Sequence, residues 1–373
     1  MIPHICFYVT AHGFGHASRC QAVIEELPDA RIELCTLVPR WFFDLDAEAS
    51  GRIAVRTLPE SLDPGVIQSD SFHHDIPATL AAWSKLLAAA TTHIEREREH
   101  LLEQGHDLVV SDAAPLPLAA ARRAGLPSVA MGNFTWDWVL EGYLDQEPAF
   151  APIIAEIRRL YRQADLHLRP PLSHESDLFE RQLSIGFTTR RPVLPPDAVR
   201  RELGLEPGQL MVLLSFGGFG VDRLSLDRVP AHAHVRCVWD QGPAQPPHLL
   251  AAPGGLRYVD LIRAADVILT KPGYSIISEA VAQGTLLAYV PRRGFRENAL
   301  LERFLEREWP SLAMPPSALS DGTWIDLVVS WVEERPDARD HRTAAPVDGA
   351  RAAARAILAE CRDRRGRLDG TDR

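Results

Sequence analysis

A chain of 373 residues exceeds what one ordinary hydrophobic core encloses, so two domains are expected. Its 46% hydrophobic and 24% charged residues are those of a globular protein, and a net charge of −10 argues against a nucleic-acid or anionic-lipid partner. Lys85 and Lys271 are the two lysines, so nearly all positive charge is arginine.

The five cysteines, Cys6, Cys20, Cys35, Cys237 and Cys361, are scattered without a CxxC pair, which argues against a disulfide framework and a structural zinc site. The N-terminus lacks a basic region before its apolar run, and no window approaches ~18 uninterrupted apolar residues. Neither a signal peptide nor a transmembrane span is expected, and the compartment is expected to be the cytoplasm.

In chain order, Ile2–Thr10 reads as a buried strand, followed by a glycine turn and a helix over Ala17–Leu27. Arg31–Val38 is a second strand and Pro77–Gln104 one long helix. Asp107–Ser111 is a strand, Pro117–Ala124 a helix and Pro127–Met131 a strand. The alternation implies parallel strands with helices on both faces. It restarts at Leu210–Ser215, with strands at Val235–Trp239, Leu256–Val259, Val267–Thr270 and Leu286–Tyr289. Helices fall at Leu261–Ala264, Ser275–Gln283 and Asn298–Glu308, then at Asp348–Cys361 before a polar tail. Arg190–Pro196, rich in proline, reads as the linker. The expected domains are 1–190 and 197–335, with a helix and tail over 336–373. Two doubly wound sheets place a ligand in the cleft at the carboxyl ends of the strands.

Three glycine turns follow strands. In His12-Gly13-Phe14-Gly15-His16, Gly13 and Gly15 allow close backbone approach, the next helix offers unpaired N–H groups to an anion, and the histidines titrate near neutrality. It is not GxGxxG, so a nicotinamide cofactor is not expected; a plain strand–helix turn is the alternative. Lys271-Pro272-Gly273-Tyr274-Ser275 also joins a strand to a helix, suiting a diphosphate, with Lys271 and Ser275 as phosphate contacts. Glu279, four residues beyond Ser275, lies on the same helix face and suits ribose hydroxyls, unless it is simply solvated. Gly217 and Gly218 open the third turn, either against a ligand or as a loop.

Softer positions also stand at strand ends. Asp112 is expected at the cleft; Asn133 and Trp136 lie in a stretch suited to a sugar face or to core packing. Arg292, Glu297 and Asn298 either reach donor hydroxyls or cap the following helix. Pro39–Phe43 is apolar, but Asp44 and Asp46 follow, so burial under the first domain is expected rather than membrane contact.

Four ordered segments carry a resemblance: FYVTAHGFGHASR (Phe7–Arg19), GVIQSDSFHHD (Gly65–Asp75), DLVVSDAAPLPLAAARRAGLPSVAMGNFTWDW (Asp107–Trp138) and KPGYSIISEAVAQGTLLAYVPRRGFREN (Lys271–Asn298). They resemble the GT-B glycosyltransferases, with two Rossmann-like domains facing across a cleft. More particularly they are similar to the glycosyltransferase-like N-terminal domain of plant L-arabinokinases and its stand-alone bacterial relatives. The likeness does not extend to a sugar-kinase half, so kinase activity is not expected.

The resemblance implies a metal-independent hexosyltransferase using a nucleotide-sugar co-substrate, UDP-linked, and no other cofactor. It aligns His16 with the histidine of the family's glycine-rich loop, making it, or Asp112, the base for an acceptor hydroxyl. It aligns Gly217, Gly218, Lys271, Gly273, Ser275 and Glu279 with the donor side; Gly13, Gly15, Tyr274, Arg292, Glu297 and Asn298 are expected there with them, and His12, Gln68, Asp70, Asn133 and Trp136 toward a small-molecule or glycan acceptor. No metal ligand set is expected. A non-catalytic nucleotide-sugar binder, or an epimerase or hydrolase of the same fold, is the alternative.

Overall fold

The computed structural model describes residues 2–43, 51–70, 73–216, 224–239, 249–252, 255–292, 294–335 and 346–370. It divides into two compact units: Met1–Thr188 with Phe295–Glu297 and Pro346–Arg373, and Thr189–Gly294 with Asn298–Ala345.

The first unit carries strands β1 (His4–Val9), β2 (Arg31–Thr36), β3 (Ile53–Thr57), β4 (Gln68–Asp70), β5 (His73–His74), β6 (Leu108–Asp112), β7 (Ser128–Met131), β8 (Leu166–Arg169) and β9 (Gln182–Ser184). Seven of them form a sheet in the order β3-β2-β1-β6-β7-β8-β9, every pair parallel. Successive side chains of a strand point to opposite faces. Cys6 and Tyr8 of β1 therefore enter one core with Trp83, Leu86 and Leu101, while Ile5, Phe7 and Val9 enter another with Val23, Ile24 and Ile357. That second core is closed by helix α1 (Phe14–Glu25) and by the C-terminal helix Gly349–Gly370.

The single helix expected over Pro77–Gln104 is two, α2 (Ile76–Ala88) and α3 (Ala90–Glu103). The chain turns at Ala89, where φ is −98° and ψ 4°, and no glycine or proline signals it. Asp75 caps α2 by accepting from the Ala78 N–H at 2.9 Å. The helices α4 (Leu116–Arg123), α5 (Trp136–Glu141) and α6 (Phe150–Tyr161) complete this side.

The second unit begins with α7 (Pro196–Glu202) and has an all-parallel sheet. Its strands are β10 (Leu210–Ser215), β11 (Val235–Trp239), β12 (Leu249–Ala251), β13 (Val267–Thr270), β14 (Leu286–Tyr289) and β15 (Ser311–Ala313), ordered β12-β11-β10-β13-β14-β15. Leu256–Val259, read above as a strand, instead leads into α8 (Tyr258–Ala264). A four-residue segment with three apolar or aromatic side chains does not distinguish strand from helix; here Asp260, in the first turn of α8, is buried and accepts from the Val193 and Leu194 N–H groups at 2.7 and 3.1 Å. The remaining helices are α9 (Tyr274–Gln283), α10 (Asn298–Arg307), α11 (Ser317–Asp321) and α12 (Trp324–Glu333).

Each sheet reverses its strand order once, between β1 and β6 in the first unit and between β10 and β13 in the second. The carboxyl ends at such a reversal form the crevice where doubly wound sheets bind ligands. Val9 pairs with Asp112 there in one sheet, and Ser215 with Thr270 in the other.

Candidate functional site

At the first reversal, β1 leads through Gly13 into α1. Gly13 has φ +153°, outside the range L side chains ordinarily adopt, and open space lies around its Cα. The helix begins at Phe14, three residues earlier than expected, so Gly15 and His16 lie in its first turn. His16 and Arg19, three residues apart on one face, both reach the Asp112 carboxylate. His16 Nδ1 is 3.2 Å from each Asp112 oxygen, and Arg19 Nη2 donates to Oδ1 at 2.5 Å. Arg19 also donates to Asn133 Oδ1 at 2.5 Å, and Asn133 Nδ2 donates to the Pro171 carbonyl at 2.6 Å.

Asp112 has no exposed surface. Burial pushes its carboxyl up, but the adjacent Arg19 and His16 outweigh this and hold it below its ordinary range, so it is ionised. Arg19 Nη2 also lies 3.3 Å from His16 Nδ1, so the proton on this nitrogen is an assignment. We assign it to His16, because the carboxylate is the stronger acceptor and Arg19 already has two short acceptors of its own. All hydrogen bonds of His16 use Nδ1; Nε2 then carries the lone pair, on a side chain 15% exposed. Asp112, expected as a possible base, is closed off from any substrate and instead orients His16.

A second buried carboxylate, Asp63, was not singled out from the sequence. His12 Nε2 lies 2.7 Å from Asp63 Oδ1, Trp136 Nε1 donates to Oδ2 at 2.7 Å, and Thr10 Oγ1 lies 2.9 Å from Oδ2. Thr10 Oγ1 is also 2.8 Å from the Asp112 carbonyl, linking the two networks. Asp63 raises the pKa of His12 against the opposing effect of burial. Gly65 has φ +64°, and a Cβ there would stand 2.8 Å from the His12 ring, so this turn admits His12 only because residue 65 is glycine. The signal was the turn Leu62-Asp63-Pro64-Gly65.

These contacts correct the expected stacking role of Trp136, which is 4% exposed and held by Asp63. The aromatic side chain that faces solvent is Trp41, 71% exposed and edge-on to Phe14 at 5.4 Å, contrary to the expected burial of that segment. Gln68 is half-buried in β4; Asp70 ends that strand, with its side chain outside those described.

At the second reversal, β13 runs into Lys271-Pro272-Gly273 and then α9. Gly273 caps α9 with extended backbone and no side-chain cap, and the first ordinary neighbour of a Cβ there would be Ile276 at 3.8 Å. The first turn of α9, a helix of ten residues, thus begins at Tyr274 and Ser275 with no side-chain cap from the residue before it. Burial, and then the charge of Arg292, lower Lys271 to about 8. Glu279 does not face a ligand: it is 3% exposed and forms a two-pronged pair with Arg190, Nε to Oε1 at 2.7 Å and Nη2 to Oε2 at 3.1 Å. Asn298 is buried and donates to the Arg292 carbonyl. Glu297 groups with the first unit, as Gly13 and Gly15 do, whereas Lys271, Gly273, Tyr274, Ser275, Glu279, Arg292 and Asn298 group with the second. Gly217 and Gly218 lie outside the described residues.

The architecture is that of the GT-B glycosyltransferases. A UDP-glucosyltransferase from Polygonum tinctorium superposes with a TM-score of 0.61 at 16% identity, covering 97% of each chain. In sequence the chain is 28% identical over 336 residues to L-arabinokinase of Arabidopsis thaliana, covering 88% of this chain and 32% of the plant protein. It is also 28% identical over 268 residues to an uncharacterized glycosyltransferase of Methanopyrus kandleri, 64% of this chain and 73% of that one. The relationship read from the four segments is thereby found again, and the chain spans about a third of the length of the plant relative. No protein-family model matches. Among the described residues no helix is long and apolar enough to cross a membrane.

Proposed function

We propose that the chain transfers a hexosyl group from a UDP-linked sugar to an acceptor hydroxyl. The observation that carries this reading is the buried Asp112 carboxylate behind His16, at the carboxyl ends of β1 and β6. His16 Nε2 takes the proton of the acceptor hydroxyl as its oxygen bonds to the anomeric carbon, and Asp112 stabilises the imidazolium that forms. The bond from that carbon to the diphosphate breaks, and the nucleoside diphosphate leaves. The developing charge calls for an anion seat of the kind the α9 terminus and Lys271 offer in the second unit, which would leave the transfer without need of a metal or a further cofactor. Trp41 offers a solvent-facing ring for the acceptor. The buried free cysteines fit a cytoplasmic setting.

The test begins with thermal shifts against a panel of nucleotide-sugars, since a bound donor stabilises the fold by mass action. The donor found is then assayed for glycosylated product over an acceptor panel with wild type and His16→Ala. Loss of about 10²–10⁴-fold in turnover at unchanged donor affinity is expected. Stabilisation by no nucleotide-sugar, or full turnover in His16→Ala, refutes the proposal.

A further inference from the structure

Away from the His16 network, the first unit gathers five metal-binding side chains at one point. Cys6 lies on β1, Glu33 and Cys35 on β2, His100 near the end of α3 and His106 in the turn that follows it. The parallel register sets Cys6 beside Glu33 and Tyr8 beside Cys35, so the two thiols share one face of the sheet, with their sulfurs 3.5 Å apart. Glu33 Oε2 stands in the middle: 2.6 Å from His100 Nε2, 3.2 Å from His106 Nε2, 3.7 Å from Cys35 Sγ and 4.0 Å from Cys6 Sγ. Candidate ligand atoms of Cys6, Glu33 and His106 lie within 4.8 Å of one another, as do those of Glu33, Cys35 and His100.

A second observation points into this cluster. The His106 side chain has no exposed surface, yet neither ring nitrogen makes a hydrogen bond; its 3.2 Å approach to Glu33 lies off the hydrogen-bond line. A buried imidazole with no aligned hydrogen bond, its polar contact an off-line approach to Glu33, is costly. Its ring is held by stacking on His4, with centroids 4.1 Å apart. The nearby Arg56, 3.6 Å from Cys35 Sγ, is itself paired with Glu97 at 2.6 and 3.2 Å, so it adds little unbalanced positive charge.

We propose that Cys6, Cys35, His100 and His106 bind a zinc ion, with Glu33 as the adjoining carboxylate that the ion displaces from the centre of the cluster. Two sulfurs and two imidazole nitrogens are the donor set that selects zinc over magnesium or calcium. Sulfurs bound tetrahedrally at ~2.3 Å are separated by about 3.8 Å, close to the separation already present. Binding releases the two thiol protons and any proton carried by the two imidazoles, and the two thiolates balance the charge of the ion. Both cysteines and His106 are buried, so the site is closed and structural, tying the end of α3 and its following turn to β1 and β2. The ligands come from distant parts of the chain, so the spacing rules that find zinc fingers do not find it.

The experiment is a cobalt titration of the full-length protein, reduced and stripped with a chelator. A thiolate-to-cobalt charge-transfer band saturating at one equivalent, and bleached by zinc, is expected. The band should persist in Cys237→Ala, vanish in the joint Cys6→Ser, Cys35→Ser variant, and require at least tenfold more cobalt in His106→Asn. Absence of the band in reduced wild type overturns the proposal without reference to any variant. So does a band that survives in a folded Cys6→Ser, Cys35→Ser protein, or a Cys6–Cys35 disulfide in freshly purified protein that, once reduced, takes up no metal.

Discussion

Asp112→Asn isolates the charge behind His16 while keeping the shape of the side chain. In the wild type the carboxylate can only accept, so His16 presents Nδ1–H to it and a lone pair at Nε2. Asparagine also takes the 2.5 Å hydrogen bond from Arg19 on its oxygen, which turns its NH₂ group toward His16 and makes Nδ1 the acceptor. The proton then sits on Nε2, the nitrogen that must receive one. In a Ser–His–Asp triad the equivalent change lowers turnover about 10⁴-fold, about 5 kcal/mol of transition-state stabilisation. The same loss is expected here, with donor affinity unchanged because the carboxylate has no surface to offer a ligand. Histidine nitrogen and carbon chemical shifts report the tautomer without any substrate: His16 is expected as Nδ1–H in the wild type and Nε2–H in the variant. Arg19, which keeps Asn133, limits the accompanying loss of stability. If the tautomer does not change, or if turnover stays within tenfold of wild type, the orienting role of Asp112 is wrong.

Glu279→Ala, which the sequence reading would expect to weaken nucleotide binding, is expected instead to cost about 3–5 kcal/mol of stability in the second unit. It removes the carboxylate that both prongs of the Arg190 guanidinium, 6% exposed, donate to. Calorimetric melting should show this loss largely restored by joint Arg190→Met, Glu279→Leu substitution; an unchanged melt with weakened donor binding would contradict it. Lys271 supplies a pH test. Its pKa, lowered to about 8, means that it is charged below that value and neutral above it in the free protein. Binding of a diphosphate diester, which has no titration of its own here, restores the charge. Donor affinity should therefore be flat below pH 8 and fall above it, up to tenfold per pH unit, with uptake of up to one proton seen as a buffer-dependent calorimetric enthalpy. Lys271→Met should abolish the slope, and a wild type without it would remove Lys271 from the phosphate seat.

What was legible from the sequence depended on local pattern. Leu210–Ser215, Val267–Thr270 and Leu286–Tyr289 are strands with the expected ends, because each is built on a short continuous apolar run that a turn or charged residue closes within two positions. The same rule places Asp112 and the His12–His16 turn at carboxyl ends of strands. It does not say that β1 and β6 are neighbours, and that adjacency brings His16 to a residue 96 positions away. Arg19 was within reach, since it shares a helix face with His16. Glu279 was misjudged because its face is covered by Arg190, from the proline-rich segment read as a linker. Trp41 is exposed where burial was expected, and Trp136, left open between a sugar face and core packing, is buried, because an aromatic ring carries no local sign of which side will be covered.

The two reversals share topology but differ in what their helix termini hold. In the first unit a buried, ionised carboxylate already lies against His16, Arg19 and Cys20 on the opening turns of α1. The negative charge that such a terminus favours is therefore supplied by the protein itself. A diphosphate brought to the same turns would meet Asp112 as a like charge, with the Arg19 guanidinium already engaged by Asp112 and Asn133. In the second unit α9 begins after glycine with no side-chain cap, and Lys271 immediately precedes the turn. Gly13 and Gly15 are thus better placed to shape the backbone around His16 than to cradle phosphate. The same fold element thus carries a charged side chain against its helix terminus in one unit and none from the strand end in the other, and the difference lies in the residue that ends the neighbouring strand: Asp112 in β6, Thr270 in β13.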